Sequence, residues 1–322
     1  MKLNSLLIFI SILISLISIE FFLYLDNYSP KYKNFSYTIN KKNYLFNDNP
    51  KILNTTKNEK VILFLGDSMT KSTACSPKKK DFVNIIKIKK EKKEEDIKIF
   101  NFSDSGIGPA DYINIYNHFK SKINHLFIVL YYNDIDIGYN DCLVYKSLEQ
   151  DSFPEVKLCD LVLKNQSSYY NDTIIKKIDN FFSKTRIWLF LRNKLVNIKF
   201  LEKYYGRVSL NNDFIDESSI KNQQLINNLK YLKNDAKKNK IETTFLYFPD
   251  IYYLKELNTP NKIFEKFILI AKKNGITINS PLKTIMKKKT SENMSWSLID
   301  THANCDAHKI MANYIVNLIN HK

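Results

Sequence analysis

The chain has 322 residues, 44% hydrophobic and 13% aromatic, with six glycines and eight prolines. This length buries a core without staples, and the makeup excludes wholesale disorder, collagen-like repeats and linker-dominated designs. Lys and Arg number 49 against 33 Asp and Glu, a formal charge of +16, but the only arginines are Arg186, Arg192 and Arg207. Arginine is the preferred residue for bidentate phosphate and guanine contacts, so the charge does not point to nucleic acid, and no nucleic-acid partner is expected. The excess of Lys, Asn and Ile, all with AT-rich codons, reads as codon drift. Clusters such as Lys78, Lys79 and Lys80, and the stretch 87–96, read as solvated faces.

Lys2 precedes a nearly uninterrupted apolar run from Leu3 to Leu25 whose one charge is Glu20. Such a run makes a helix of about 35 Å, enough to span a bilayer with some tilt. A cleaved secretory signal is the alternative, but the run is long and lacks a small-x-small cleavage site, so an uncleaved anchor is expected. Lys31, Lys33, Lys41 and Lys42 follow the run while only Lys2 precedes it. The charge rule alone does not favour export, but it discriminates poorly in so lysine-rich a chain. The short leading tail places the body outside the cytoplasmic membrane, as a single-pass protein. Residues 26–60, rich in Tyr, Asn and Lys, read as a linker.

The body, 61–322, opens on an apolar β-prone run, Val61–Leu65, followed by Ile97–Phe102, Leu126–Tyr132 and Thr243–Phe248. Helices are expected near Phe82–Lys90, Pro109–Ile123, Ile220–Lys238, Lys262–Lys273 and Ala307–Ile319. Continuous apolar strands alternating with helices imply a mostly parallel sheet covered on both faces, a three-layer α/β/α sandwich. The stretch of about 138–216 breaks the alternation and reads as an insertion: helices on the core, a cap over the site or a second membrane contact.

Chemistry-bearing residues gather at the strand ends. Gly66, Asp67 and Ser68 close the first strand, in a turn that can expose a hydroxyl; alone, Ser68 reads equally as a helix N-cap. The second strand runs into Asn101, Phe102, Ser103, Asp104, Ser105, Gly106, Ile107 and Gly108. Three of the six glycines, Gly66, Gly106 and Gly108, fall in these two turns, which suggests positive φ or close backbone approach. The third strand ends in Asn133 and Asp134, where open α/β sheets bind ligands; Asn-Asp is also ordinary turn chemistry. Near the carboxyl terminus Asp300 precedes His302 by two residues, an arrangement in which a carboxylate orients an imidazole that activates a hydroxyl. His308 reads as a packing residue. A metal held by His302, His308 and Asp306 is a competing idea without a further ligand.

In this order and separation the blocks resemble the SGNH (GDSL-like) hydrolase family, over most of 61–320. The resemblance implies an SGNH, flavodoxin-like fold and a serine ester hydrolase without cofactor. It implies Ser68 as nucleophile, His302 as general base and then acid, and Asp300 as orienting carboxylate. The implied oxyanion donors are the Ser68 and Gly106 backbone amides and the Asn133 side chain. The single residue between Asp300 and His302 is a spacing like that of the alginate-acetyltransferase-like relatives, and Tyr131 stands where the family has glycine. The implied partner is an acyl ester of cell-envelope glycans or lipids, with O-acyl transfer to an exported polysaccharide as the alternative. A noncatalytic envelope module for glycan binding or assembly is the reading from another class.

The four cysteines, Cys75, Cys142, Cys159 and Cys305, suit an oxidising compartment and no zinc knuckle. Cys142 with Cys159 is the local pairing. Cys75 with Cys305 would join the serine block to the histidine block. Four buried thiols are the third possibility.

Overall fold

The computed structural model describes residues 2–25, 34–53, 59–72, 75, 80–92, 94, 96–135, 220–251, 259–288, 294 and 302–320. The insertion, Asp300, Cys142 and Cys159 lie outside the described residues.

The amino-terminal run is a single helix, α1 (Lys2–Leu25), with Ile8, Ile12, Ile14, Ile17 and Phe22 exposed. Among the described residues no helix is long and apolar enough to cross a membrane. The expected span is therefore not shown.

The segment expected as a linker is in part structured. β1 (Phe35–Ile39) and β2 (Lys42–Phe46) form an antiparallel hairpin. Asn40 and Lys41, at its tip, both have positive φ, 47° and 66°, the backbone of a primed two-residue turn. Alternation puts Ile39, Tyr44 and Phe46 inward, all buried. Phe46 stacks on Tyr44 and on Phe102, with centroids 5.5 and 4.9 Å apart. That burial makes the hairpin part of the body.

Five parallel strands form the central sheet: β3 (Lys60–Gly66), β4 (Ile97–Asn101), β5 (His125–Leu130), β6 (Glu242–Tyr247) and β7 (Ile278–Asn279), in spatial order β4-β3-β5-β6-β7. In chain order that is 2-1-3-4-5, the flavodoxin-like arrangement, whose switch point lies between β3 and β5. Alternate residues of the central strands face opposite layers. Leu63, Leu65, Ile128 and Tyr247 join one core, with α4 (Pro109–Phe119), α5 (Ile220–Lys238) and α6 (Thr259–Lys273). Ile62, Phe64, Phe127 and Leu246 join the other, with α3 (Phe82–Lys90), α7 (Leu282–Lys288) and α8 (Cys305–Asn320). A sheet buried on both faces explains why its strands read as unbroken apolar runs. The lysines of α3 correct one expectation: Lys87 pairs with Asp48 at 2.5 Å and Lys90 with Glu94 at 2.9 Å, both ammonium stems largely covered.

Candidate active site

Ser68 begins α2 (Ser68–Lys71), a single turn following β3. Asp67 caps it, its Oδ1 accepting the Met69 N–H at 2.9 Å, which satisfies one of the donors a helix start leaves open. Ser72 ends it in the left-handed region, φ 63°, its N–H donating to the Ser68 carbonyl at 3.0 Å. The next carbonyls are taken by side chains: Asn101 Nδ2 donates to Thr70 O at 3.1 Å and Asn47 Nδ2 to Lys71 O at 2.8 Å. Gly66 permits close approach here, since a Cβ would stand 2.7 Å from the Thr70 Cβ and 2.8 Å from the Val129 carbonyl oxygen. The turn is thus over-determined, and Ser68 alone of residues 66–71 is partly exposed.

The glycine turn lies beside it. Phe102 and Asp104 N–H groups donate to the Phe64 and Gly66 carbonyls at 3.0 and 3.3 Å, so the β4 to β3 pairing continues past the strand ends and delivers 104–106 next to the serine turn. Gly106 has φ 73° and is exposed, a backbone other residues adopt only at a cost. Lys71 Nζ meets Asp104 Oδ1 at 2.5 Å, with side-chain exposures of 6% and 12%. The same carboxylate accepts the Ser105 N–H and, from the hairpin, the Leu45 N–H, both at 2.7 Å. Gly108 caps α4. Asp111 takes the Tyr44 hydroxyl and the Lys42 ammonium on one oxygen, each at 2.7 Å. Burial raises the Asp111 carboxyl, against the opposing pull of Lys42.

Asn133 sits exposed in a short 3-10 turn, Tyr132–Ile135, just past β5. Its neighbour Asp134 is buried and builds that turn, accepting the Tyr131 N–H at 2.7 Å and the Tyr112 hydroxyl at 3.0 Å. The Asp67 carboxyl is raised by burial, opposed by the Met69 amide and the charge of His302.

From the far end of the chain, His302 Nε2 comes within 2.7 Å of Ser68 Oγ, across 234 residues. Both are partly exposed, so a reactant can reach them. Two further contacts join the same segments: a Cys75–Cys305 disulfide, and Ser72 Oγ with His308 Nε2 at 3.1 Å. His308 is fully buried between Phe82 and Phe248, centroids 5.7 and 5.4 Å away. Burial lowers its imidazole from the ordinary 6.5 to about 3, helped by the charge of His302. The two histidines serve different serines, and no group of three or more metal-ligating side chains occurs among the described residues.

Ser68 and His302 are therefore brought together beside Asp67, with the Gly106 turn held against the end of the strand that leads into Ser68 and Asn133 just past the adjacent strand β5. Lys71, Ser72, Asn47 and Asp111 are the participants sequence reasoning passed over.

No family model matches the chain, and no curated protein does. Solved structures do. One is a member of the lipolytic G-D-S-L family from Veillonella parvula, with 13% identity over 81% of this chain and 98% of that one, at a TM-score of 0.40. Another is the psychrotrophic esterase EstA from a Pseudoalteromonas species, with 14% identity over 81% and 97%, at 0.40. A third is an acetylxylan esterase from Geobacillus stearothermophilus, with 12% identity over 82% and 95%, at 0.43. The structural neighbours are thus GDSL-type lipolytic esterases and acetylxylan esterases, at a distance that carries nothing over to this chain.

Proposed function

We propose that the protein is a serine-dependent ester hydrolase with Ser68 as nucleophile and His302 as general base. The observation that carries this is the 2.7 Å contact between Ser68 Oγ and His302 Nε2, made at the carboxyl end of a parallel sheet beside its switch point. In the reaction Ser68 Oγ bonds to the ester carbonyl carbon as its proton passes to His302 Nε2. The carbonyl oxygen becomes an oxyanion facing the Ser68 and Gly106 N–H groups and the Asn133 amide. Each well-aimed donor contributes about 2.7–4 kcal/mol to lowering the barrier. Collapse breaks the bond to the alcohol, which leaves with the proton from His302. Water then gives a proton to His302 and attacks the acyl-serine, and the acid departs as Ser68 regains its hydrogen. Asp300 is the carboxylate assigned to orient the imidazole.

The substrate class in this proposal is an acyl ester on a cell-envelope glycan or lipid. A disulfide next to the site fits an oxidising compartment. The anchor in this proposal is the apolar run 3–25 of the sequence, whose one charge is Glu20, with the body exported.

A fluorophosphonate probe tests the reading, because Ser68 Oγ displaces fluoride at phosphorus. The full chain is expected to label, and Ser68→Ala to label at least about a hundredfold less. Equal labelling of the two would remove Ser68 as nucleophile, and no labelling of either would favour the noncatalytic envelope module. An acyl-donor screen with and without glycan acceptors then separates hydrolysis from transfer.

A further inference from the structure

Three contacts cross between two short segments that are more than two hundred residues apart in the chain. Ser68 meets His302, Ser72 meets His308, and Cys75 is bonded to Cys305, at sequence separations of 234, 236 and 230. Ser68 opens α2 and Ser72 closes it in the left-handed region, and the Cys75 N–H donates to the Ser72 carbonyl at 3.4 Å. On the other side, 302 lies three residues before α8, and 305 and 308 lie in its first turn. Asn304 starts that helix, its Oδ1 accepting the Asp306 and Ala307 N–H groups at 3.0 and 3.1 Å.

His302 belongs to none of the five strands of the sheet, so its position relative to Ser68 depends on how the start of α8 is docked. We propose that the Cys75–Cys305 disulfide and the Ser72–His308 hydrogen bond are positioning elements that aim the His302 imidazole at Ser68. The inference rests on the reading of Ser68 and His302 as the reacting pair. Each element ties a residue just past Ser68 to one just past His302, on the same two strips of chain that carry the pair. The hydrogen bond is suited to the role, since burial keeps the His308 imidazole neutral well into the acid range, so its contact with Ser72 Oγ does not change with pH there. His308 is in turn gripped by Phe82 and Phe248, which fixes α8 against the body. A displacement of about 1 Å at a reacting pair costs on the order of a hundredfold in rate, so modest loosening is enough to matter.

The experiment removes the bond without changing the pair. An excess of a small dithiol supplies two electrons and two protons to the disulfide; the protein gains two thiols and the reagent closes into its own cyclic disulfide. The parallel variant is Cys75→Ala with Cys305→Ala, in which Cys142 and Cys159 stay in place. The full chain is assayed for kcat and KM on a chromogenic acyl ester, for its circular dichroism, and for the ring nitrogens of His302 by NMR. Reduction and the double variant are expected to lower kcat about 10- to 100-fold while KM changes less than about twofold. The His302 Nε2 resonance should move towards that of an unbonded imidazole as the circular dichroism stays native. Reoxidation restores the wild type, and dithiol does nothing further to the double variant. Ser72→Gly, which relieves the left-handed backbone while deleting the hydroxyl, is expected to show a smaller loss of the same kind.

An unchanged His302 resonance and kcat after complete reduction would overturn the proposal. Loss of the native circular dichroism would do so too, since the bond would then hold up the fold rather than aim the ring. A further fall in the double variant on adding dithiol would shift the effect to Cys142 and Cys159 and overturn the assignment. The ring resonance needs no turnover. Were fluorophosphonate labelling to fail in the untreated protein, the ester-hydrolase reading would fall while the positioning claim would still be judged on that signal.

Discussion

Ser68 and His302 face each other across one hydrogen bond, yet they are supported by different means. Ser68 stands just past the end of β3, in the middle of the sheet, and its turn is tied down by neighbours: the Asp67 cap, Asn47 and Asn101 on the helix carbonyls, and the Lys71–Asp104 pair linking it to the glycine turn. His302 lies off the sheet, three residues before α8, and is joined to the serine side through a disulfide and a buried imidazole. Ser68 is placed by a strand end and a local side-chain network, whereas His302 is joined to it by cross-links over long chain separations. Side-chain networks of the first kind fail by losing stability. Cross-links of the second kind fail by losing aim.

The largest expected effect tests whether the two sides act as one unit. Ser68→Ala and His302→Ala should each lower kcat/KM by about 10⁴-fold or more, and the double variant should fall little further, because either loss alone disables the pair. Additive losses, measured as kcat/KM on a chromogenic ester, would mean that the two residues contribute separately and would break the comparison at its root.

Next in size is the cost of opening the network on the serine side. Lys71→Met leaves the Asp104 carboxylate buried without its cation, which costs roughly 3–5 kcal/mol in a covered pair. Lys98→Gln makes a useful contrast, because Lys98 and Glu59 are 42% and 24% exposed where they meet at 3.9 Å, and breaking so open a pair costs under about 1 kcal/mol. Denaturant unfolding of both variants checks this. Equal midpoints would show that the Lys71–Asp104 pair holds nothing together.

How much of this was legible in the sequence follows from where the information lies. Ser68, Gly106 and Asn133 sit at the ends of buried parallel strands, where an apolar run stops at turn residues, and a local pattern of that kind survives in one sequence. His302 was legible because an acid and a histidine fall together just before a helical run. The hairpin was read as linker although Phe35, Tyr37 and Ile39 alternate with polar residues. Its turn is Asn40-Lys41 without glycine, and its Tyr, Asn and Lys content matches the drift of the whole chain. Lys71 was hidden for the same reason: where lysine is nearly everywhere, a buried one leaves no mark in composition, and only its partner Asp104, 33 residues later, shows its role. The 2-1-3-4-5 strand order depends on which strands pair, and strand periodicity alone does not encode that.

The smallest effect is a pH dependence in which the two sides oppose each other. His308 gains its proton only near pH 3 in the folded protein, against the ordinary 6.5 when exposed. Between those values the unfolded state binds more protons, so stability falls as pH drops, by about 2 kcal/mol at about pH 5. Asp67 has the opposite sign. Burial raises its carboxyl above the usual 3.8, so the folded state takes up that proton first, and its contribution grows on acidification and is lost as pH rises through the folded value. Unfolding free energies between about pH 7 and 5 should therefore decline in the wild type and decline less in His308→Gln. If His308→Gln declined as steeply as wild type, the imidazole would have to be accessible to water in the folded state, and a buried His308 could no longer be what fixes α8 beside Ser72.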